Sequence, residues 1–179
     1  MVISDNIRYI ESASEWKLFV NRSYRAKIQK GSASQVYNVP ERAGVVYNIL
    51  EDSYEPVRDG CYIVTGAAGE MWPIPAAALR KYRIAPEDIT AEPQEVDTVP
   101  TDSVFAGIQI PADVRFTLEV DYGEKCVLKG NRDGLGHGEG DWVLVAVKEE
   151  NGKLVPDFTD AGRIVNGEIF EILYQSYQK

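Results

Sequence analysis

The sequence predicts an α+β, strand-dominated protein made of two related small units, each with antiparallel strands, a hairpin and a terminal helix. Three observations predict it. Apolar and polar residues alternate along Tyr24-Arg25-Ala26-Lys27-Ile28-Gln29 and along Val114-Arg115-Phe116-Thr117-Leu118-Glu119-Val120, which is the period of a half-buried strand. Two apolar runs are each followed by a glycine-marked return and a stretch ending in tyrosine, at Tyr82 and Tyr174. A proline-containing acidic segment separates the two patterns. A chain of 179 residues, 44% hydrophobic and 26% charged, is ordinary for a folded protein and excludes a mostly disordered chain, a collagen-like fibre and a disulfide scaffold.

The first repeat unit, residues 1–84, opens with an expected helix. Ser12-Ala13-Ser14-Glu15 reads as a capping box, and Trp16, Phe19 and Val20 then form one apolar stripe, ending near Asn21. The alternating run 23–29 is a strand closed by Gly31-Ser32. Residues 35–39 can pair as a second strand before Pro40, and 44–50 is a further apolar run. Residues 61–65 form a strand, 66–69 a turn and 70–74 the returning strand of a hairpin. Pro75 begins a short helix through Tyr82.

Residues 85–103 read as a linker. They hold Pro86, Pro93 and Pro100, no Lys or Arg, and six acids: Glu87, Asp88, Glu92, Glu95, Asp97 and Asp102. Proline stiffens such a segment and like charges extend it. The second repeat unit, 104–179, is expected to contain a strand at 114–120, a short one at 126–128, a loop at 133–140 and a strand at 141–147. A turn at 149–152, a return strand at 162–165 and a helix from Asn166-Gly167 through Tyr177 complete it.

The two units can be laid on each other. Gly60-Cys61-Tyr62-Ile63-Val64 matches Gly140-Asp141-Trp142-Val143-Leu144, and 72–82 matches 164–174 without a gap, with Ala78 on Phe170 and Tyr82 on Tyr174. One copy of this size buries a marginal core, whereas two can share one. Tyr62, Ile63, Val64, Trp72, Ile74, Trp142, Leu144, Ile164, Phe170 and Tyr174 are the expected buried residues.

The segment DGCYIVTGAAGEMWPI, with the following stretch to Tyr82, resembles the bacterial and phage PGDYG-type proteins. Gly60, Tyr62, Ile63, Val64, Gly66, Gly69, Glu70, Trp72, Pro73, Ile74 and Tyr82 carry the resemblance. The aspartate of that motif is Cys61 in the first copy and Asp141 in the second, and its phenylalanine is Ala78 in the first and Phe170 in the second. The resemblance implies a home on phages or other mobile elements. It implies no activity.

Charge and chemistry narrow the function. Residues 1–83 carry 11 bases and 9 acids, 84–103 six acids alone, and 104–179 eight bases and 13 acids, for a net charge of −9. A basic surface spanning the molecule is excluded. No run approaches the roughly 20 apolar residues of a membrane span, and the start MVISDNIRYIESASEW lacks the basic and apolar regions of a secretory signal; the expected compartment is the cytoplasm, with no membrane partner. Cys61 and Cys126 read as reduced core thiols. A single histidine, His137, excludes any site built on two imidazoles. The loop Gly134-Leu135-Gly136-His137-Gly138-Glu139-Gly140 lacks the Lys-Ser/Thr of a P-loop, leads into a strand and reads as a flexible connector. No catalytic, cofactor or metal site is expected.

The leading functional reading is therefore a non-enzymatic interaction protein whose acids at 87, 88, 92, 95, 97 and 102 engage a basic surface on a protein partner. Inhibition of a nucleic-acid-binding effector, such as a CRISPR nuclease, is one instance. The second reading is a nucleic-acid binder using Arg22, Arg25, Lys27 and Lys30, which lie among aromatics in a stretch free of acids; those same cations can instead pair with the acidic linker. The third is an enzyme with a carboxylate site that the sequence does not locate.

Overall fold

Antiparallel strands joined by turns and loops carry the fold in the computed structural model, which describes residues 2–3 and 15–178. In chain order the strands are β1 (Val2–Ile3), β2 (Lys17–Asn21), β3 (Arg25–Lys30), β4 (Val45–Asn48), β5 (Ser53–Pro56), β6 (Tyr62–Thr65), β7 (Met71–Ile74) and β8 (Gln94–Asp97). They continue with β9 (Val104–Gln109), β10 (Phe116–Asp121), β11 (Lys125–Gly130), β12 (Trp142–Glu150), β13 (Lys153–Pro156), β14 (Arg163–Val165) and β15 (Tyr174–Ser176). All their pairings are antiparallel. Helix among the described residues is limited to short 3-10 segments, such as Ala76–Lys81, and one α-turn, α1 (Phe170–Leu173).

The chain divides into two units. A split unit combines Met1–Asn21 with Thr101–Lys179, and an inserted unit, Arg22–Pro100, interrupts it between β2 and β9. This differs from the expected order of unit, linker and unit. Residues 85–103 are no linker: they hold a 3-10 turn at Pro86–Asp88 and strand β8, which pairs along β3. Val96 explains the difference, because it is buried in the inserted unit's core and an acidic strand needs only one such anchor when its other face meets cations.

In the inserted unit the sheet order is β7-β6-β3-β8. β3 alternates as expected, with Ala26 and Ile28 buried and Arg25 and Lys27 exposed, although Gln29 is also buried. Ala26, Ile28, Val64, Ile74, Leu79, Tyr82, Ile89 and Val96 make one cluster on one face. A fully buried side chain such as Ile28 or Val64 contributes about 1.5–3 kcal/mol. The opposite face is covered only in part: Ile63 packs with Val46 and Val57 from the β4–β5 hairpin region, beside Cys61 and Met71. The expected strand at 35–39 reduces to a single bridge, Val36 to Ala43.

In the split unit the sheet order is β13-β12-β9-β2-β15, with β14 also on β12. Both of its faces are covered. Phe19, Leu144, Val165, Phe170 and Tyr174 cluster on one side, where Trp142 stacks on Phe170 at 4.1 Å between ring centroids. On the other, Trp16, Ala106, Ile108, Val143 and Val145 meet Phe116, Leu118 and Val120 of the second sheet, β1-β10-β11. Gly107 sits where a Cβ would crowd Leu144 and the Phe19 ring, so its missing side chain admits those two large groups.

Two expected helices are strands. The capping residues Ser12–Ser14 lie outside the described residues, but 17–21 is β2. Trp16 and Phe19 enter the clusters on opposite faces of the sheet, which a helix with both on one stripe could not do. The final helix is one turn of α1, after which Tyr174–Ser176 returns to pair with β2. The helix after Pro75 is 3-10, with Pro75 at its cap rather than its first position. Strand β9 carries no alternation in its sequence because both its faces are buried. Of the ten expected core residues, Ile63, Val64, Ile74, Leu144, Phe170 and Tyr174 are buried; Tyr62, Trp72, Trp142 and Ile164 are half-buried against the clusters.

Candidate functional site

The two sequence-derived site sets meet each other. Arg25 and Lys27 lie on the exposed face of β3, and β8 runs alongside it with Asp97 opposite Arg25 and Glu95 opposite Lys27. The Arg25 Nε donates to Asp97 Oδ1 at 2.9 Å and its Nη1 to Glu95 Oε2 at 3.1 Å. These two carboxylates hold the guanidinium pKa above its ordinary value, Asp97 acting most strongly. The end of the pair is closed by Ser23 Oγ donating to Thr98 O and by Tyr24 N donating to Thr98 Oγ1. Glu95 and Asp97 of the acidic set and Arg25 of the basic set are thus bonded to one another within the fold.

The remainder are dispersed. Glu87 and Asp88 lie exposed on the 3-10 turn and Glu92 on the connection to β8. Asp102 belongs to the split unit. Lys30 is exposed at the end of β3, and Arg22 is exposed just before it. No continuous acidic strip over 87–102 is formed, because the segment folds through a turn and a strand instead of staying extended.

The most densely bonded polar cluster lies elsewhere, around Asp141. Fully buried Asn131 donates its backbone N–H to Asp141 Oδ2 at 2.7 Å and accepts the Asp141 N–H on its own Oδ1 at 2.8 Å. Its side-chain amide reaches the carbonyls of Pro111 and Val114 at 2.8 Å each. Gly167 N donates to Asp141 Oδ1, and Asn166 Nδ2 to Gly136 O. The glycine loop is therefore fastened at several points rather than a loose connector. Gly140, at φ 132°, allows an approach to the Ile110 carbonyl that any Cβ would obstruct.

His137 serves this loop. Its Nε2 donates to the Arg132 carbonyl at 2.6 Å, and Nδ1 faces Asp141 Oδ1 at 3.4 Å. A general base needs a ring nitrogen open to a reacting group; both nitrogens here face the loop's own atoms. The sequence motif pointed to Asp141, but nothing marked Asn131 as its partner, since reciprocal bonding across ten residues leaves no pattern in sequence.

The inserted unit has one buried acid, Glu70. Its Oε2 accepts the Ala68 N–H at 2.8 Å across the hairpin turn, and burial raises its pKa above the usual carboxylate range. Tyr82 is raised as well, first by burial and then by Tyr24 and Glu70 nearby. Both groups face the turn and core that they stabilise. Cys61 and Cys126 are free, half-buried thiols. Among the described residues no group of three or more His, Cys, Asp or Glu side chains is arranged to hold a metal ion, and no helix is long and apolar enough to cross a membrane.

No family model matches the chain, and searches of curated proteins and of solved structures gave no match.

Proposed function

We propose that the chain is a non-catalytic interaction protein whose split unit presents an acidic surface to a basic protein partner. One observation carries this reading. The split unit holds 17 acids against 10 bases, a net −7, while the inserted unit holds 11 against 9, a net −2. Ion pairs within the split unit engage Asp133 and Glu150. Glu119, Asp121 and Glu124 stand exposed around the β10–β11 turn. A field of this sign accelerates encounter with cationic proteins and opposes nucleic acid. The engagement of His137, Asp141 and Glu70 in holding turns supports a structural use of the buried titratable groups. The PGDYG-type resemblance of residues 60–82 supports a mobile-element origin.

The same reading takes the two units as descendants of one fold. Support comes from their registers. Val96 lies opposite Ala26, Ile28 opposite Val64, and Tyr82 bridges to Thr98. In the split unit Phe19 lies opposite Phe105, Gly107 opposite Leu144, and Tyr174 opposite Asn21. The one offset is at the last hairpin: Trp72 faces Val64, but Arg163 rather than Ile164 faces Leu144. The path from Arg163 to Tyr174 in the split unit is accordingly one residue longer than the path from Trp72 to Tyr82 in the inserted unit.

The test is capture from bacterial lysate at low and raised ionic strength. Loss of capture by raised salt and by Glu119→Gln with Asp121→Asn and Glu124→Gln is expected, with Glu87→Gln, Asp88→Asn and Glu92→Gln as the retained control. Capture indifferent to salt and to the first set, or retention of DNA or RNA in a low-salt gel shift, overturns the reading.

A further inference from the structure

Two strand pairs in this fold have simpler alternatives that the chain does not adopt. β2 precedes β3 by only three residues, yet β2 pairs with β9 and β3 with β8. Applying the observed registers locally, β2 could fold back on β3 about an Arg22-Ser23 turn, with Phe19 opposite Ala26. β8 could fold back on β9 about residues 99–102, with Val96 opposite Phe105. Local hairpins form fastest because they close the shortest loops. The observed pairing is their reciprocal exchange: each unit's central strand is flanked by the segment that precedes the other unit's central strand.

We infer that the charge pattern on these four strands decides the exchange. In the observed pairing Arg25 and Lys27 of β3 face Asp97 and Glu95 of β8, while Val20 and Leu18 of β2 face Val104 and Ala106 of β9. Cations meet anions and apolar residues meet apolar residues. Local closure would set Val20 and Leu18 against Arg25 and Lys27, and Asp97 and Glu95 against Val104 and Ala106. Ala106 is completely buried and Leu18 packs on the same cluster, so that arrangement would drive two carboxylates into the split unit's core. Arg22-Ser23 also lacks the Gly, Asn or Asp that a two-residue hairpin turn prefers. Thr98 completes the selection by bonding Ser23 and Tyr24, which fastens β8 to the start of β3. The basic stretch and the acidic segment, the two most conspicuous charge features of the sequence, thus act as an internal pairing code for one fold.

The experiment reads the apolar pair while altering the charged one. In the full chain, Val20→Cys with Val104→Cys places two half-buried partners of the β2–β9 pair for oxidation. Peptide mapping of the monomer measures the yield of the disulfide joining positions 20 and 104. Arg25→Glu with Lys27→Glu sets like charges against β8, and the yield is expected to fall by about tenfold or more. Adding Glu95→Lys and Asp97→Lys restores opposite charges in inverted order, and the yield is expected to return to within about twofold of the original. Two results overturn the inference. An unchanged yield in the β3 reversal would mean that these charges only steady the inserted unit. Failure of the fourfold variant to recover it would mean that opposite charge is not what selects the partner.

Discussion

Each unit holds a run of four antiparallel strands, β7-β6-β3-β8 in the inserted unit and β14-β12-β9-β2 in the split unit, and the two runs are dressed differently. In the inserted unit one face of β3 carries Arg25 and Lys27 into solvent, while in the split unit the corresponding face of β9 carries Ala106 and Ile108 beneath a second sheet. On the inner face of each sheet the side chains differ in volume. Val96 and Ala26 face each other in one unit, and Phe19 and Phe105 in the other; Ile28 sits opposite Val64 in one and Gly107 opposite Leu144 in the other. The lesson is that large and small side chains can be traded across an inner face, and that an outer face is charged or apolar according to whether anything covers it.

Disrupting that volume trade has the largest expected effect. Phe19→Ala should cost about 3–5 kcal/mol, and Val96→Ala about 2 kcal/mol. Urea unfolding followed separately through Trp142 in the split unit and Trp72 in the inserted unit distinguishes them. Each substitution should move its own unit's transition; a common shift of both would show that the two cores unfold as one.

The next contrast is at Asp141 and Cys61, which follow Gly140 and Gly60 in the matched segments. Asp141 receives N–H groups from Asn131 and Gly167; Cys61 lies in an apolar cluster. Asp141→Cys should cost about 2–4 kcal/mol by leaving buried donors unmet. Cys61→Ala should cost far less. Hydrogen exchange at Asn131 and Gly167 reports whether the loss is local.

Glu70 sharpens the comparison through pH. Its folded pKa is raised, so the folded state holds the proton more tightly than the unfolded chain. The stability it lends is full below the ordinary carboxylate range and declines as pH rises through the raised value. Glu70→Gln, whose amide oxygen can still accept the Ala68 N–H, should stabilise the inserted unit at neutral pH and flatten that decline. Thermal melts between mildly acidic and neutral pH check it. The smallest effect on stability is expected for Arg25→Ala, an exposed pair whose contribution should vanish at high salt.

Strand dominance, the 61–74 hairpin and six of the ten core positions were legible because alternation and glycine turns are local signals. β2 and β8 were not. Trp16, Phe19 and Val20 satisfy a helical stripe equally well, and only burial on two faces by partners more than 80 residues away makes them a strand. In the 85–103 segment, six acids outweighed two buried apolar residues, Ile89 and Val96. The inserted arrangement was hidden for the same reason: the match of Gly60–Val64 with Gly140–Leu144 suggests two units in tandem, whereas β2 and β8 each pair in the other's place. Of the candidate site, charge composition pointed to Arg25, Glu95 and Asp97, but their mutual pairing depends on a register that composition does not contain.

Interrupting the split unit also orders events during synthesis. Every strand of the inserted unit's sheet has been synthesised once Asp97 is added, whereas β2 must wait for β9 and then for β15. For most of translation Phe19 and Trp16 are nascent-chain residues without their mates, so a chaperone that shields aromatic side chains has its longest opportunity there.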